Sequence, residues 1–178
     1  MEKKYEFVLD DTIVVNNRTL YRIRALHDFG NVKAGELGGY VEKEANLSHD
    51  GCCWVYDDAH VYGDAKISGN AQVYDDARVY GDAKISGNAQ VYGTAHVYGD
   101  AKISGNAHVS GNAQVFGDTK IFGNTYVYGD AQVSGDAHVY GNARVYDDAQ
   151  VYGDVKISGK AHVYGNARVY DDAQVYGD

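Results

Sequence analysis

The sequence has no proline, one methionine, one tryptophan and two cysteines in 178 residues. The cysteines, Cys52 and Cys53, are adjacent. That spacing does not suit an ordinary structural disulfide, and no companion pair completes a zinc site, so the thiols read as buried or idle and no metal is expected on them. No apolar run approaches the roughly 20 residues that span a bilayer, and Met1 to Phe7 (MEKKYEF) lacks the apolar core of a signal peptide. A cytoplasmic protein with no membrane partner is the expectation. Positive charge is also scarce: 16 Lys and Arg stand against 25 Asp and Glu, a formal net charge of -9. Without a basic stripe nothing releases counterions from phosphates, so direct nucleic-acid binding is not expected, and a partner with a basic surface is favoured.

Glycine (22) and tyrosine (17) are abundant instead, a bias too strong for an ordinary mixed fold and too rich in apolar residues for disorder. The reason is repetition. From Ala59 to Asp178 the chain divides without a gap into twenty hexapeptides, such as Ala65 to Asn70 (AKISGN) and Ala71 to Asp76 (AQVYDD). The third position is Val or Ile in all twenty; the first is Ala in seventeen, with Thr119, Thr125 and Val155 as exceptions. Residues 53 to 58 form a further unit, Val41 to Asn46 keeps the same spacing, and a two-residue insertion near His49 to Cys52 separates these two. Six residues with one aliphatic and one small position make one short strand and a corner. The aliphatic side chain points inward, its neighbours point out, and Gly before Asp or Asn supplies the left-handed backbone of the bend.

A second period lies over the first. Lys-Ile-Ser-Gly begins at Lys66, Lys84, Lys102 and Lys156, all separated by multiples of 18, so three hexapeptides make one coil. The expected architecture is all-β: a triangular prism of seven regular coils from residue 53, stacked about 4.8 Å apart. Val-x-x-x-Ala-x in threes resembles the hexapeptide-repeat family, and that resemblance implies a left-handed parallel β-helix. The family includes acyltransferases, γ-class carbonic anhydrases and proteins without known activity. His27 to Asp58 also resembles the lead-in segment of bacterial and prophage hexapeptide proteins often described as transferases, a description that follows fold more than site chemistry.

Residues 5 to 9, 12 to 15 and 18 to 26 read as strands, with Asp10-Asp11 and Asn16-Asn17 as turns between them. They predict a small antiparallel cap over 1–40, covering an exposed end of a β-helix that occupies 41–178.

Assigning the hexapeptides to three faces turns the sequence into columns. Asp64, Asp82, Asp100, Asp118, Asp136, Asp154 and Asp172 share one corner; Asn70, Asn88, Asn106, Asn124 and Asn142 share another, which ends in Lys160. Lys66, Lys84, Lys102, Lys120 and Lys156 follow the Asp corner by two residues, which supplies compensating charge. Stacked carboxylates offer calcium the hard oxygen ligands it prefers, although the spacing is not that of the calcium-binding repeats. One outward row holds Tyr56, Tyr74, Tyr92, Tyr128, Tyr146 and Tyr164, interrupted by Ser110. Another holds Tyr62, Tyr80, Tyr98, Phe116, Tyr152 and Tyr170, interrupted by Ser134. Candidate binding residues are therefore Tyr74, Tyr92, Tyr128, Tyr146 and Tyr164, with Asp82, Asp100, Asp118 and Asp136.

The resemblance makes acyl transfer from acetyl-coenzyme A the enzymatic reading, with His96, His108, His138 and His162 as candidate bases. None stands apart from the Gln, Arg or Lys in equivalent slots, and the twenty units contain no loop that would hold a pantetheine arm. Two binding readings compete with it. One is a structural or protein-binding module that self-associates through strands around Val163, Val169 and Val175. The other is an acidic nucleic-acid mimic that occupies a DNA-binding protein, against which the Lys column counts. The sequence ranks the module first, mimicry second and acyl transfer third.

Overall fold

The computed structural model describes residues 2–178; Met1, with which the expected cap begins, lies outside the described residues. Apart from a 3-10 turn at Glu44–Asn46, the regular elements are β-strands, assembled into sheets of ten, seven and seven. Each repeat strand pairs in parallel with the one three hexapeptides later: Gln90 with His108, His96 with Gln114, Lys102 with Lys120. The product is a parallel β-solenoid of seven coils with an eighth rung at the N-terminal side of one sheet. We call its sheets the first face (His60–Val61 to Arg168–Val169), the second face (Trp54–Val55 to His162–Val163) and the third face (Lys66–Ile67 to Gln174–Gly177). No helix among the described residues is long and apolar enough to cross a membrane.

Burial follows the repeat. Val109 and its rung neighbours Val91 and Val127 are 0% exposed, as are Ala89 and Ala107. Backbone bonds such as His96 N–H to Ala113 O (2.9 Å) and Tyr98 N–H to Val115 O (3.0 Å) join the coils. Close approach at the corners explains the glycine. At Gly87 (φ 66°) an added Cβ would lie 2.9 Å from the Gly105 nitrogen. Asp75, Asp147 and Asp171 replace that glycine and stay left-handed at φ 57° to 59°. Asp75 gains something in return, since its carboxylate accepts the Gly93 N–H at 2.9 Å.

Three strands precede the repeat: β1 (Tyr5–Val15), β2 (Arg18–Ala25) and β3 (Leu37–Val41). Asn16 and Asn17 turn β1 into β2 with φ of 51° and 61°. The expected turn at Asp10-Asp11 does not form. β1 runs through it, because Val8 pairs with Arg22 and Thr12 with Tyr21, and the residues between bulge out of the ladder. The third strand comes instead from Leu37–Val41, antiparallel to β2 and parallel to His60–Val61. The small antiparallel sheet thus continues the first face, and a boundary drawn between residues 40 and 41 falls inside β3. Leu47 pairs with Ile67 but Trp54 with Gln72, so the offset drops from 20 to 18 residues across the two-residue insertion.

Trp54, fully buried, closes the N-terminal end of the core beneath the edges of Phe29 (5.2 Å) and Tyr5 (6.1 Å). At the other end burial relaxes: Val163 is 5% exposed, and Val169 and Val175 are half-buried.

Candidate functional site

The positions on either side of each inward Val or Ile, together with the corners, form columns along the solenoid, and each column has its own geometry. On the corner between the third and second faces the asparagines make a ladder. Each amide donates to the next carbonyl, from Asn70 through Asn88, Asn106 and Asn124 to Asn142, at 2.9–3.1 Å. Every asparagine in the ladder's interior both donates and accepts, so the column is satisfied internally.

The aromatic columns stack. On the first face Tyr62, Tyr80, Tyr98 and Phe116 follow one another at 4.9–5.0 Å with planes within 5° of parallel; beyond Ser134, Tyr152 and Tyr170 resume at 5.4 Å. On the second face Tyr74 lies on Tyr92 (5.0 Å), and past Ser110 Tyr128 lies on Tyr146 (4.9 Å) and Tyr146 on Tyr164 (5.3 Å). Ring faces are consumed by neighbouring rings, and mainly ring edges meet solvent. Leu20, Tyr40 and Tyr62 form a small buried cluster, with Ile13, Val15 and Tyr80 packed against it, so the hairpin seals the first-face column at its N-terminal end.

The Asp corner and the Lys column stand on either side of a groove. One stretch, about 360 Å³, is lined by Asp64, Lys66, Asp82, Lys84, Asp100, Lys102 and Asp118; another, about 450 Å³, by Lys120, Asp136, His138, Asp154, Lys156, Asp172 and Gln174. The compensation expected between these columns is not made by contact: among the described residues no ion pair joins them within 4.0 Å. Asp64 pairs instead with Lys43, whose hydrogen bond and charge hold its carboxyl below the ordinary value. Asp136 shifts the other way. Local desolvation, then Asp154 and Asp118, raise it above its ordinary value, while Lys120 opposes them. His138 stands here where five of the other six coils carry lysine at the Lys-column position.

The candidate bases are not brought together. His96, on the first face, lies between Arg78 and Gln114; burial, then Arg78, lowers its pKa. His108, on the second face, stacks on Tyr126 at 4.8 Å, and burial lowers its pKa. His138 lies on the third face between Lys120 and Lys156; burial and then both lysines lower its pKa. His162, on the second face, sits edge-on to Tyr146 at 6.1 Å.

A histidine outside the repeats has the more structured surroundings. His49 Nε2 is 2.9 Å from a Glu44 carboxylate oxygen, and His49 Nδ1 accepts the Lys4 backbone N–H at 3.1 Å. Accepting at Nδ1 fixes the proton of the neutral ring on Nε2, so both nitrogens are engaged and neither is a free base. The ring also stacks on Tyr5 at 4.6 Å. Together with Glu44, Ser48, Lys66, Ser68, Lys84 and Ser86 it borders an open hollow of about 590 Å³ on the third face. The signal for this feature in the sequence is the two-residue insertion that breaks the register beside it.

Comparison with known proteins agrees with the repeat. The family described as YdcK beta solenoid repeat matches residues 71–86, 131–147, 137–153 and 161–177. The uncharacterized acetyltransferase YdcK of Escherichia coli (strain K12) is 38% identical over 72 residues, an alignment covering 40% of this chain and 22% of that protein. The match thus spans about a fifth of the relative's length. Six-residue units, three-strand coils and both matches fit a protein of the hexapeptide-repeat β-helix family.

Proposed function

We propose that the chain is a non-catalytic display module, a rigid solenoid that presents repeated side chains to a protein partner. The observation that carries this reading is how the outward positions are used. Asparagines bond to asparagines and rings stack on rings, which fixes the spacing of the columns without committing any group to a substrate. The four candidate histidines lie on three faces in rows shared with Gln, Arg, Lys or Tyr, and His49 has both nitrogens engaged. The relative's name motivates the competing reading, acetyl transfer, and that reading supplies the test. Acetyl-coenzyme A should neither shift the melting temperature nor be turned over with amine or hydroxyl acceptors. Micromolar acetyl-coenzyme A binding that disappears in His96→Ala or His108→Ala would replace the proposal with an acyltransferase.

A further inference from the structure

On the first face a single serine interrupts an aromatic column whose other rungs are rings from Tyr62 to Tyr170. Phe116 is held from one side by Tyr98 at 4.9 Å, and Tyr152 is held from its far side by Tyr170 at 5.4 Å. Their remaining faces look at each other across the Ser134 rung, two rung spacings apart, or roughly 9–10 Å. A ring placed midway would meet each wall at about the centroid spacing found throughout the column. Apart from the outer side of Tyr170, 50% exposed on the last rung, the other ring faces of this column are covered by a neighbouring ring or by the hairpin, so this rung is where two ring faces are open to a guest.

The other serine gaps differ. Beside Ser110 the His108 ring stacks on Tyr126 and turns its edge to Tyr92 at 6.3 Å, crowding the rung. Beside Ser158 one wall would be Tyr176, which is 77% exposed. At Ser134 the adjoining column is Gln114, Gln132 and Gln150, with flexible amides able to bond a peptide. The corner two residues on carries Asp118, Asp136 and Asp154, with no ion pair within 4.0 Å among the described residues.

Resting on the display reading, we propose that the Ser134 rung is a docking site for one aromatic side chain of a protein partner, flanked in the partner's sequence by Arg or Lys that meet the carboxylate corner. Ring stacking supplies the fit and the Asp column selects a basic sequence context. Asp136 is raised by local desolvation and then by Asp154 and Asp118, and the repulsion from those two carboxylates is what a cationic neighbour would relieve.

The test uses the full chain and two peptides, acetyl-Arg-Tyr-Arg-amide and acetyl-Glu-Tyr-Glu-amide, followed by amide and aromatic NMR. The basic peptide should perturb Ser134, Gln132, Phe116 and Tyr152, with affinity on the order of millimolar, and more tightly than the acidic one. Ser134→Tyr should weaken it by about tenfold or more and also melt a few degrees higher, because its own ring completes the stack. Ser110→Tyr should leave binding unchanged. Absence of binding, perturbations centred on other rungs, binding that survives Ser134→Tyr, no preference for the basic peptide, or a Ser134→Tyr protein that melts lower than the parent overturns the site. Those results leave the display reading standing, since that reading is decided by the acetyl-coenzyme A assay.

Discussion

In the coils a side chain meets its own kind one rung away, whereas in the N-terminal segment almost every contact is made once. Asn106 both donates to and accepts from asparagine, and Tyr80 has tyrosine above and below. Around the cap, by contrast, Arg22 alone bonds Asp11, Asp58, Tyr40 and the carbonyls of Gly38 and Asp57, with its guanidinium over the Tyr40 ring at 4.2 Å. Lys4 is 1% exposed and donates to Cys53 O at 2.8 Å, over the Phe29 ring at 4.9 Å. Stability in the coils is thus spread over equivalent interfaces, as in other repeat proteins, while closing the end of the core depends on a few specialised residues.

The largest effect should come from breaking the coils where they are most uniform. Val109→Asp puts a carboxylate among fully buried aliphatics with no cation near it, a cost of roughly several kcal/mol. Loss of the cooperative melt, or proteolytic cleavage between two halves, is the expected result; an unchanged melting temperature would refute the inward assignment. In the 3-10 turn that follows β3, Asn46 is 0% exposed; its amide donates to Gly63 O (3.0 Å) and Ala65 O (2.8 Å) and its carbonyl accepts Lys43 N–H (2.9 Å). Asn46→Leu should cost roughly 2–4 kcal/mol, because buried carbonyls lose their donors. Hydrogen exchange should then accelerate in β1 to β3 and the first coil and stay slow from about Val109 onward. Uniform acceleration along the rod would erase the contrast between the two regions.

The same contrast explains what the sequence made legible. Each role in the coil recurs many times, so inward Val, inward Ala and corner Gly can be read from spacing alone, as can the Asn and Tyr columns. The cap offers no second copy of anything. Asp10-Asp11 has turn chemistry, yet it sits in a bulge because β2 runs on as an unbroken partner and Asp11 reaches Arg22. β3 was hidden by Gly38-Gly39, which resembles a turn. The glycines are there for close approach, since a Cβ on either would stand 2.5 Å from the Val55 or Ala59 carbonyl oxygen. Among candidate site residues, the columns were readable but their contacts were not. Lysine placed two residues from aspartate looked like compensation, and side-chain reach and direction leave a groove between them.

Glycine corners allow an intermediate test of position along the rod. Gly105 and Gly165 have similar dihedrals, φ 71° and 62°, but a Cβ on Gly105 would lie 2.8 Å from the Gly123 nitrogen, whereas nothing lies within 4 Å of one on Gly165. Both alanine variants incur the left-handed penalty of about 1–2 kcal/mol. Only Gly105→Ala adds a clash with the next coil, so it should melt clearly below Gly165→Ala. Equal melting temperatures would mean that the corners do not pack against each other.

The smallest expected effect separates two positions of the aspartate corner, Asp64 at its N-terminal end and Asp136 within it. Asp64 has Lys43 and a lowered pKa, so its contribution is present above the unfolded value, about 4, and is lost as pH falls through its folded value. Asp136 has a raised pKa, so the folded state takes up a proton more readily than the unfolded chain. Its charged form therefore opposes folding at neutral pH, and the opposition disappears as pH falls through the folded value to below the unfolded one. Asp136→Asn, which mimics the protonated carboxyl, should melt above the parent at pH 7 and level with it near pH 3, because the parent is then protonated as well. Asp64→Asn should melt below the parent at pH 7, and the deficit should start to shrink only below the unfolded value, closing as pH falls through the lowered folded one. Melting curves of both variants across that range check the pair, and salt should shrink both differences, since the carboxylates are exposed. If Asp136→Asn melts lower at pH 7, the stacked carboxylates are held by something that offsets their repulsion, and the corner beside Ser134 is not the unrelieved charge that a basic partner would meet.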